Sequence, residues 1–473
     1  MECTNAAPSY ADHAREFAAC ASGNPSVTHF AVVAPPFPSH VRAIEALAAP
    51  LLARGHRVTW LAPADVRAWL GDRRIGFVPL GAATHPPGSL GRVIARAARP
   101  GGPWGLKRVI ADMAAATRML CEELPAALER LGADAVLADE MEAAGALAAQ
   151  ALGLPYVSVA CALPVNREPG LPLPVMPWAP AAGDARRQRL LDESERVHDW
   201  LMRPLHDRIE QEASRLGLPR RRLLADCLSP LAQLSQTLDA FDFPRQAAPA
   251  HLHHLGPWRR ASGEEAPLAF PADRPRRHGQ PLVFASLGTL QGGRHGLFRR
   301  IARACRAEGV QLVVAHCGLL DAGQARSIEA AGADWVTAFV PQRAMLRQAD
   351  VAITHAGLNT VMDCLESGTP MLALPIAFDQ PGAAARIVHS GTGVRHLPAL
   401  ATVGVLRRSL RRLLDEDGFA RRAAQLGSGI AAAGGAARGA ALIEAALAGH
   451  DARPGASAPP AAASPRTAEG VGA

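Results

Sequence analysis

The stretch from Phe339 to Gln380, FVPQRAMLRQADVAITHAGLNTVMDCLESGTPMLALPIAFDQ, limits what this chain can fold into more than any other. Val351 to Thr354 is a short apolar run, as suits a strand buried on both faces of a parallel sheet. His355-Ala356-Gly357 forces a turn, Asn359 and Thr360 open a helix that runs to Ser367, and Gly368 and Pro370 stop it. A second strand, Met371 to Leu374, ends at Pro375. Strand, tight turn, helix and strand make a unit of parallel α/β sheet. Its turn aims free backbone N–H groups and the positive end of a helix dipole at one point, where an anion such as a diphosphate is stabilised. His355 can add a donor there.

Thr360 and Asp363 share a helix face, so one can touch a phosphate while the other accepts from sugar hydroxyls. The same pair also reads as a capping box with no ligand. Asp379 and Gln380 follow a parallel strand at its carboxyl end, where open α/β sheets bind ligands, and an acid beside an amide suits the hydroxyls of a hexose. They read equally well as the start of a helix from Gly382 to Ser390.

The joint spacing of Phe339, Pro341-Gln342, His355, Gly357, Asn359-Thr360, Asp363, Pro370, Pro375 and Asp379-Gln380 resembles the nucleotide-sugar signature of UDP-dependent glycosyltransferases of the plant type. That resemblance implies the GT-B fold, two Rossmann-like domains facing across a cleft. It implies that Phe339 and Gln342 hold the uracil, His355 and Thr360 the diphosphate, Asp363 the ribose, and Asp379 with Gln380 the glucose. Three positions depart from the family pattern: Phe339 and Leu358 stand where Trp is usual, and Asp363 where Glu is usual.

The rest of the chain fits such a frame. Its 473 residues, 49% hydrophobic and 20% charged, allow two or three globular domains. Net charge is +7, yet Lys107 is the only lysine and the arginines are dispersed, with no long basic run. A nucleic-acid partner is not expected. Eight cysteines without a C-x-x-C pair or metal spacing suggest reduced cytosolic thiols and no metal site. The first 27 residues lack a basic start followed by an apolar core, which argues against a secretory signal. Residues 145–165 form the longest apolar window, but Gly153-Leu154-Pro155 cuts it into a helix and a strand.

Strands alternate with helices in two blocks, as in doubly wound parallel sheets. The expected order is a loose arm (1–27), a first Rossmann-like domain (28–242), a Pro-rich linker (243–280), a second Rossmann-like domain (281–400), helices returning to the first domain (401–449) and a disordered tail (450–473). Val283 to Ser286 followed by Leu287-Gly288-Thr289 is a strand and Gly turn. In the resembling family this turn also faces the diphosphate, so Ser286 and Thr289 are secondary donor candidates. The only D-x-D string, Asp415-Glu416-Asp417, lies between helical Arg-rich segments and reads as a helix boundary.

A transferase needs a base opposite the sugar. His40 follows the first strand of the first domain, after the stiff Pro35-Pro36-Phe37-Pro38-Ser39 loop, and imidazole titrates near neutrality. Asp139 ends another strand on the same sheet edge, where its carboxylate could orient that imidazole or simply cap the next helix. Both match the His and Asp pair of the family. The implied reaction is one inverting displacement from UDP-glucose with no metal or other cofactor. For the acceptor, Cys161 to Trp178 is Pro-rich and nearly uncharged, so it could wall an apolar substrate or form a buried interdomain loop. The expected contacts are Phe37, Cys161, Pro164, Met176 and Trp178. This segment, with FASLGTLQGGRHGLF (Phe284 to Phe298), is similar to the bacterial branch of the family that glucosylates the carotenoid diol zeaxanthin. That implies a hydroxylated carotenoid partner and work from the cytoplasm, at the membrane face. Transfer to a macrolide, polyketide or phenolic acceptor, nucleotide-sugar epimerisation, and sugar binding without catalysis remain alternative readings.

Overall fold

A computed structural model of the chain describes residues 27–99, 102–259 and 267–451. But for Val27 of the expected arm, and His450 and Asp451 of the expected tail, which end a helix, both segments lie outside the described residues. The first sheet contains β1 (His29–Val33), β2 (Arg57–Pro63), β3 (Gly76–Leu80), β4 (Ala135–Asp139), β5 (Tyr156–Ala160), β6 (Gln233–Ser235) and β7 (Leu252–His254). Between its strands run α1 (Pro38–Ala53), α2 (Leu90–Ala98), α3 (Pro103–Leu131), α4 (Ala143–Ala151) and α5 (Ala185–Arg215). Its order is β3-β2-β1-β4-β5-β6-β7, with every pairing parallel. The apolar window at 145–165 is divided between α4 and β5, and among the described residues no single helix is long and apolar enough to cross a membrane.

The second sheet comprises β8 (Leu282–Ser286), β9 (Gln311–Ala315), β10 (Trp335–Thr337), β11 (Val351–Thr354), β12 (Met371–Ala373) and β13 (Gly393–Arg395), ordered β10-β9-β8-β11-β12-β13 and again parallel. Its helices are α6 (Gly288–Gln291), α7 (His295–Glu308), α8 (Ala322–Ala331), α9 (Gln342–Leu346), α10 (Leu358–Glu366), α11 (Gln380–His389) and α12 (Val403–Asp415). Then follow α13 (Gly418–Gly427), α14 (Gly429–Ala433) and α15 (Gly435–Asp451). Asp415-Glu416-Asp417 is the junction of α12 and α13.

In each sheet the chain reverses its winding beside the first strand. β1 lies between β2 and β4, and β8 lies between β9 and β11. Loops leaving two such neighbours diverge and open a crevice at the carboxyl ends. His40 and Asp139 leave β1 and β4; Ser286 and His355 leave β8 and β11.

Two features join the domains. Ala436, Ala440, Ile443 and Leu447 of α15 pack into the first domain's core with Ile44, Leu47 and Leu51 of α1. Leu163, Leu238 and Phe241 pack with Phe284 and Val361 of the second domain. Two expectations are corrected. Of the helices at 401–449 expected to return to the first domain, α12 and α13 stay on the second, where Leu406, Leu410 and Leu413 pack with Val283 and Phe298, and Ala423 and Leu426 with Val361. The chain leaving β13 first covers the sheet it comes from, and α15 makes the return. Residues 243–280, read as a linker, contain β7, the edge strand of the first sheet. Three half-buried residues, Leu252-His253-His254, carry too little apolar alternation to announce a strand.

Candidate active site

A cavity of about 460 Å³ lies between the two crevices. On the first-domain side, Pro38 sets the first helical residue of α1 and places His40 two positions on, inside the first turn. Its Nδ1 is 2.7 Å from Oδ2 of Asp139, which is fully buried at the end of β4. Oδ1 of Asp139 accepts from the Met141 amide at 2.9 Å, so the carboxylate is held at both oxygens. α4 starts only at Ala143 and is capped by Glu142, so Asp139 is not its cap. Burial works to lower the His40 pKa, but the Asp139 charge and hydrogen bond, with Asp379, outweigh it and the net shift is upward. The ring is therefore a stronger base than a free imidazole, with Nδ1 anchored and Nε2 left for a substrate.

On the second-domain side, Gly357 precedes α10 and provides no side-chain cap. The amides of Leu358, Asn359 and Thr360 therefore have no partner within the helix, and all three residues line the cavity with Gly357. Thr360 is the third helical residue, so it is not the capping residue of a Thr-x-x-Asp box. His355 is half-buried, and desolvation lowers its pKa to about 4, so it is a neutral ring at pH 7. Its Nδ1 has no hydrogen-bond partner among the described residues. Gly288, at φ +73°, packs against that ring; a Cβ there would come within 2.6 Å of its Cε1. Ser286, Thr289, Gln342 and His355 also line the cavity, and Phe339, 64% exposed, sits on its wall.

Asp363 is placed differently from the expectation. It is buried behind the wall: Oδ2 accepts from Gln342 Nε2 at 2.7 Å and Oδ1 pairs with Arg259. Burial pushes its pKa up despite Arg259. In this geometry it positions Gln342, the residue that does reach the cavity.

Asp379 and Gln380 both line the cavity, and α11 already begins at Gln380. Asp379 does not cap that helix with its side chain. Its Oδ2 accepts instead from the Leu163 amide of the first domain at 3.2 Å, and burial raises its pKa. Oε1 of Gln380 accepts from the Ile376 and Ala377 amides at 2.8 and 2.9 Å, which holds the loop before the helix.

Of the expected acceptor contacts, Phe37 and Cys161 line the cavity, and Phe37 meets Phe378 of the second domain with ring centroids 5.8 Å apart. Pro164, Met176 and Trp178 are not on its wall. Their segment is an interdomain strut: Trp178 Nε1 donates to Ser194 at 3.1 Å, Arg395 donates to the Pro177 carbonyl, and a Cβ on Gly382 would collide with the Pro174 carbonyl. The apolar wall comes instead from Leu90, Val93 and Ile94 of α2, Val109 and Met113 of α3, and Leu205 of α5. The 90, 93, 94, 97 spacing of α2 was the available signal; it reads as an ordinary core-facing stripe. Thr117 and Glu142 put a polar spot on this wall, joined at 2.8 Å, with burial raising the Glu142 pKa to about 7.

Ligand atoms of His40, Asp139 and Cys161 lie within 4.8 Å of one another. An ion held by all three would have to break the His40–Asp139 hydrogen bond and ionise a thiol whose pKa burial has raised. The trio suits a base and its orienting acid better than a metal.

Two parallel sheets facing across a cleft, an uncapped helix N-terminus on one side and an imidazole–carboxylate pair on the other, define a glycosyltransferase of the GT-B fold. The family described as UDP-glucoronosyl and UDP-glucosyl transferase matches residues 233–429. The zeaxanthin glucosyltransferase of Pantoea ananas is 48% identical over 88% of this chain and 96% of its own length. That of Pseudescherichia vulneris is 45% identical over 90% and 99%. Among solved structures, the glycotransferase of kitacinnamycin superposes with a TM-score of 0.68 at 24% identity, covering 89% of this chain and 100% of that one. The chain belongs to the UDP-glucoronosyl and UDP-glucosyl transferase family.

Proposed function

We propose that the protein transfers glucose from UDP-glucose to the hydroxyl groups of zeaxanthin, inverting the anomeric carbon and using no metal. The observation that carries this reading is the His40–Asp139 pair set across one cavity from the open N-terminus of α10, beside an apolar wall. The two carotenoid-acting relatives, similar along nearly their whole length, support the acceptor.

His40 Nε2 takes the proton from the acceptor hydroxyl as its oxygen attacks the anomeric carbon, while Asp139 stabilises the imidazolium that forms. The C–O bond to UDP breaks on the opposite face. Negative charge growing on the departing diphosphate meets the free amides of Leu358, Asn359 and Thr360 and the neutral His355 ring. Asp379 and Gln380 face the sugar. Gln342, held by Asp363, and Phe339 face the base. The apolar residues of α2, α3 and α5 hold the ring end of the acceptor and exclude water.

Mass spectrometry of products from purified protein, UDP-glucose and detergent-dispersed zeaxanthin tests the reading, with the monoglucoside and then the diglucoside expected. Intact UDP-glucose with zeaxanthin, but consumption with a macrolide or phenolic alcohol, would replace the acceptor and keep the donor.

A further inference from the structure

α3 and α5 leave large apolar side chains in solvent beside the cavity. On the first turn of α3, Trp104 is 78% and Leu106 39% exposed. On α5, Leu190, Val197 and Trp200 are 40%, 59% and 70% exposed. The α5 residues lie on one outward stripe, Arg186, Arg189-Leu190, Glu193, Arg196-Val197, Trp200 and Arg203, with helical spacing and one acid among four arginines.

The two helices run side by side in the same direction. Arg215 of α5 donates to the Cys121 carbonyl of α3 at 2.8 Å, and nearer their N-termini Leu205 shares the cavity wall with Met113. Exposed Lys107 and Arg108 adjoin Val109, which lines the cavity, and Lys107 Nζ lies 5.9 Å from the Trp104 ring centroid. Arg108, Arg189 and Arg196 have no ion-pair partner among the described residues. The patch is thus aromatic, aliphatic and cationic, and it borders the cavity.

We infer that this patch docks the enzyme on an anionic lipid bilayer, so that an acceptor dissolved in the membrane enters the cavity end first. Exposed Trp side chains with Lys and Arg around them suit the interface between acyl chains and anionic headgroups. A cavity of about 460 Å³ that also receives a nucleotide sugar can take one ring end of a forty-carbon diol, and the remaining polyene must lie outside it. An extended apolar chain outside the cavity needs an apolar medium there. The choice of a bilayer over another partner rests on the carotenoid reading of the acceptor.

Cosedimentation of the full chain with vesicles rich in phosphatidylglycerol, compared with pure phosphatidylcholine vesicles, tests the surface. The wild type is expected to pellet with the anionic vesicles, and the Trp104→Glu/Trp200→Glu double variant to bind at least tenfold more weakly with an unchanged melting temperature. Transfer to vesicle-embedded zeaxanthin should fall with binding, while transfer to detergent-dispersed zeaxanthin stays at the wild-type rate. Equal pelleting of wild type and variant, or a wild type left in the supernatant, overturns the proposal. So does a self-association that the two substitutions abolish without any effect on vesicle binding. Vesicle binding without glucoside in either medium would sink the carotenoid reading and leave the docking surface standing.

Discussion

His40 becomes a base through its neighbours. A proton acceptor must be neutral, and the carboxylates of Asp139 and Asp379 raise its pKa above the ordinary 6.5. The rate should therefore rise with pH along an acid limb whose midpoint lies above 6.5, read from a kcat/KM profile. His40→Ala should lower kcat by about 10²–10⁴-fold and leave UDP affinity unchanged by calorimetry. Asp139→Asn removes the charge that raises the pKa, so the residual activity should show an acid limb moved to lower pH. His355 behaves oppositely, because burial holds it neutral down to about pH 4. His355→Ala should cost about 10²-fold in kcat through loss of one donor to the leaving group. Its acid limb above pH 5 should stay where the wild type has it. At this scale the sequence was legible where chemistry follows from position on the chain: His40 in the first helical turn after a strand, Asp139 at a strand end, and His355 before a helix start. It was not legible for Asp363, whose carboxylate is claimed by Gln342 and by Arg259, residues brought to it by folding.

Among elements, α10 and its turn could be read from local pattern, because a strand, a Gly turn and a helix start are encoded within about a dozen residues. The acceptor wall could not. The Pro-rich segment from Cys161 to Trp178 looked like a rigid apolar surface, and it is one, but it is spent on holding the domains together through Leu163, Pro174 and Pro177. α2 and α3 form the wall because the one long connection from β3 to β4 carries both over the crevice. Met113→Trp should fill part of the space between α3 and α5. Since a methylene of mismatch in an apolar pocket is worth about 1–3 kcal/mol, KM for zeaxanthin should rise tenfold or more. UDP binding should be unchanged, since no donor residue is touched; steady-state kinetics and calorimetry check the two halves separately.

For the molecule as a whole, activity depends on two domains held in register. Asp242 follows β6 of the first sheet and pairs with Arg386 of α11 at 2.6 Å and with Arg245 at 2.9 Å. Arg386 and Asp242 are each 1% exposed at their side chains, and the guanidinium lies 4.2 Å from the Phe243 ring centroid. Asp242→Asn leaves Arg386 buried without its counter-charge, which should cost about 3–5 kcal/mol in urea unfolding at pH 7. Desolvation would raise the Asp242 pKa, but the two arginines prevail and bring it to about 2, below the ordinary 3.8. The ion pair thus stabilises the fold fully above 3.8, and its contribution is lost as pH falls through about 2. The gap between wild type and Asp242→Asn should narrow between pH 4 and pH 2. What the sequence determined by itself was the repeating strand–helix grammar, the two parallel sheets and the anion-binding turn, because each follows from periodicity and turn chemistry within short windows. Tertiary structure alone decided that β7 closes the first sheet, that α2, α3 and α5 share one wall, and that α11 is tied to the first domain through Asp379 and Arg386. Those contacts join residues far apart on the chain, and no local pattern records which distant partner a side chain will meet.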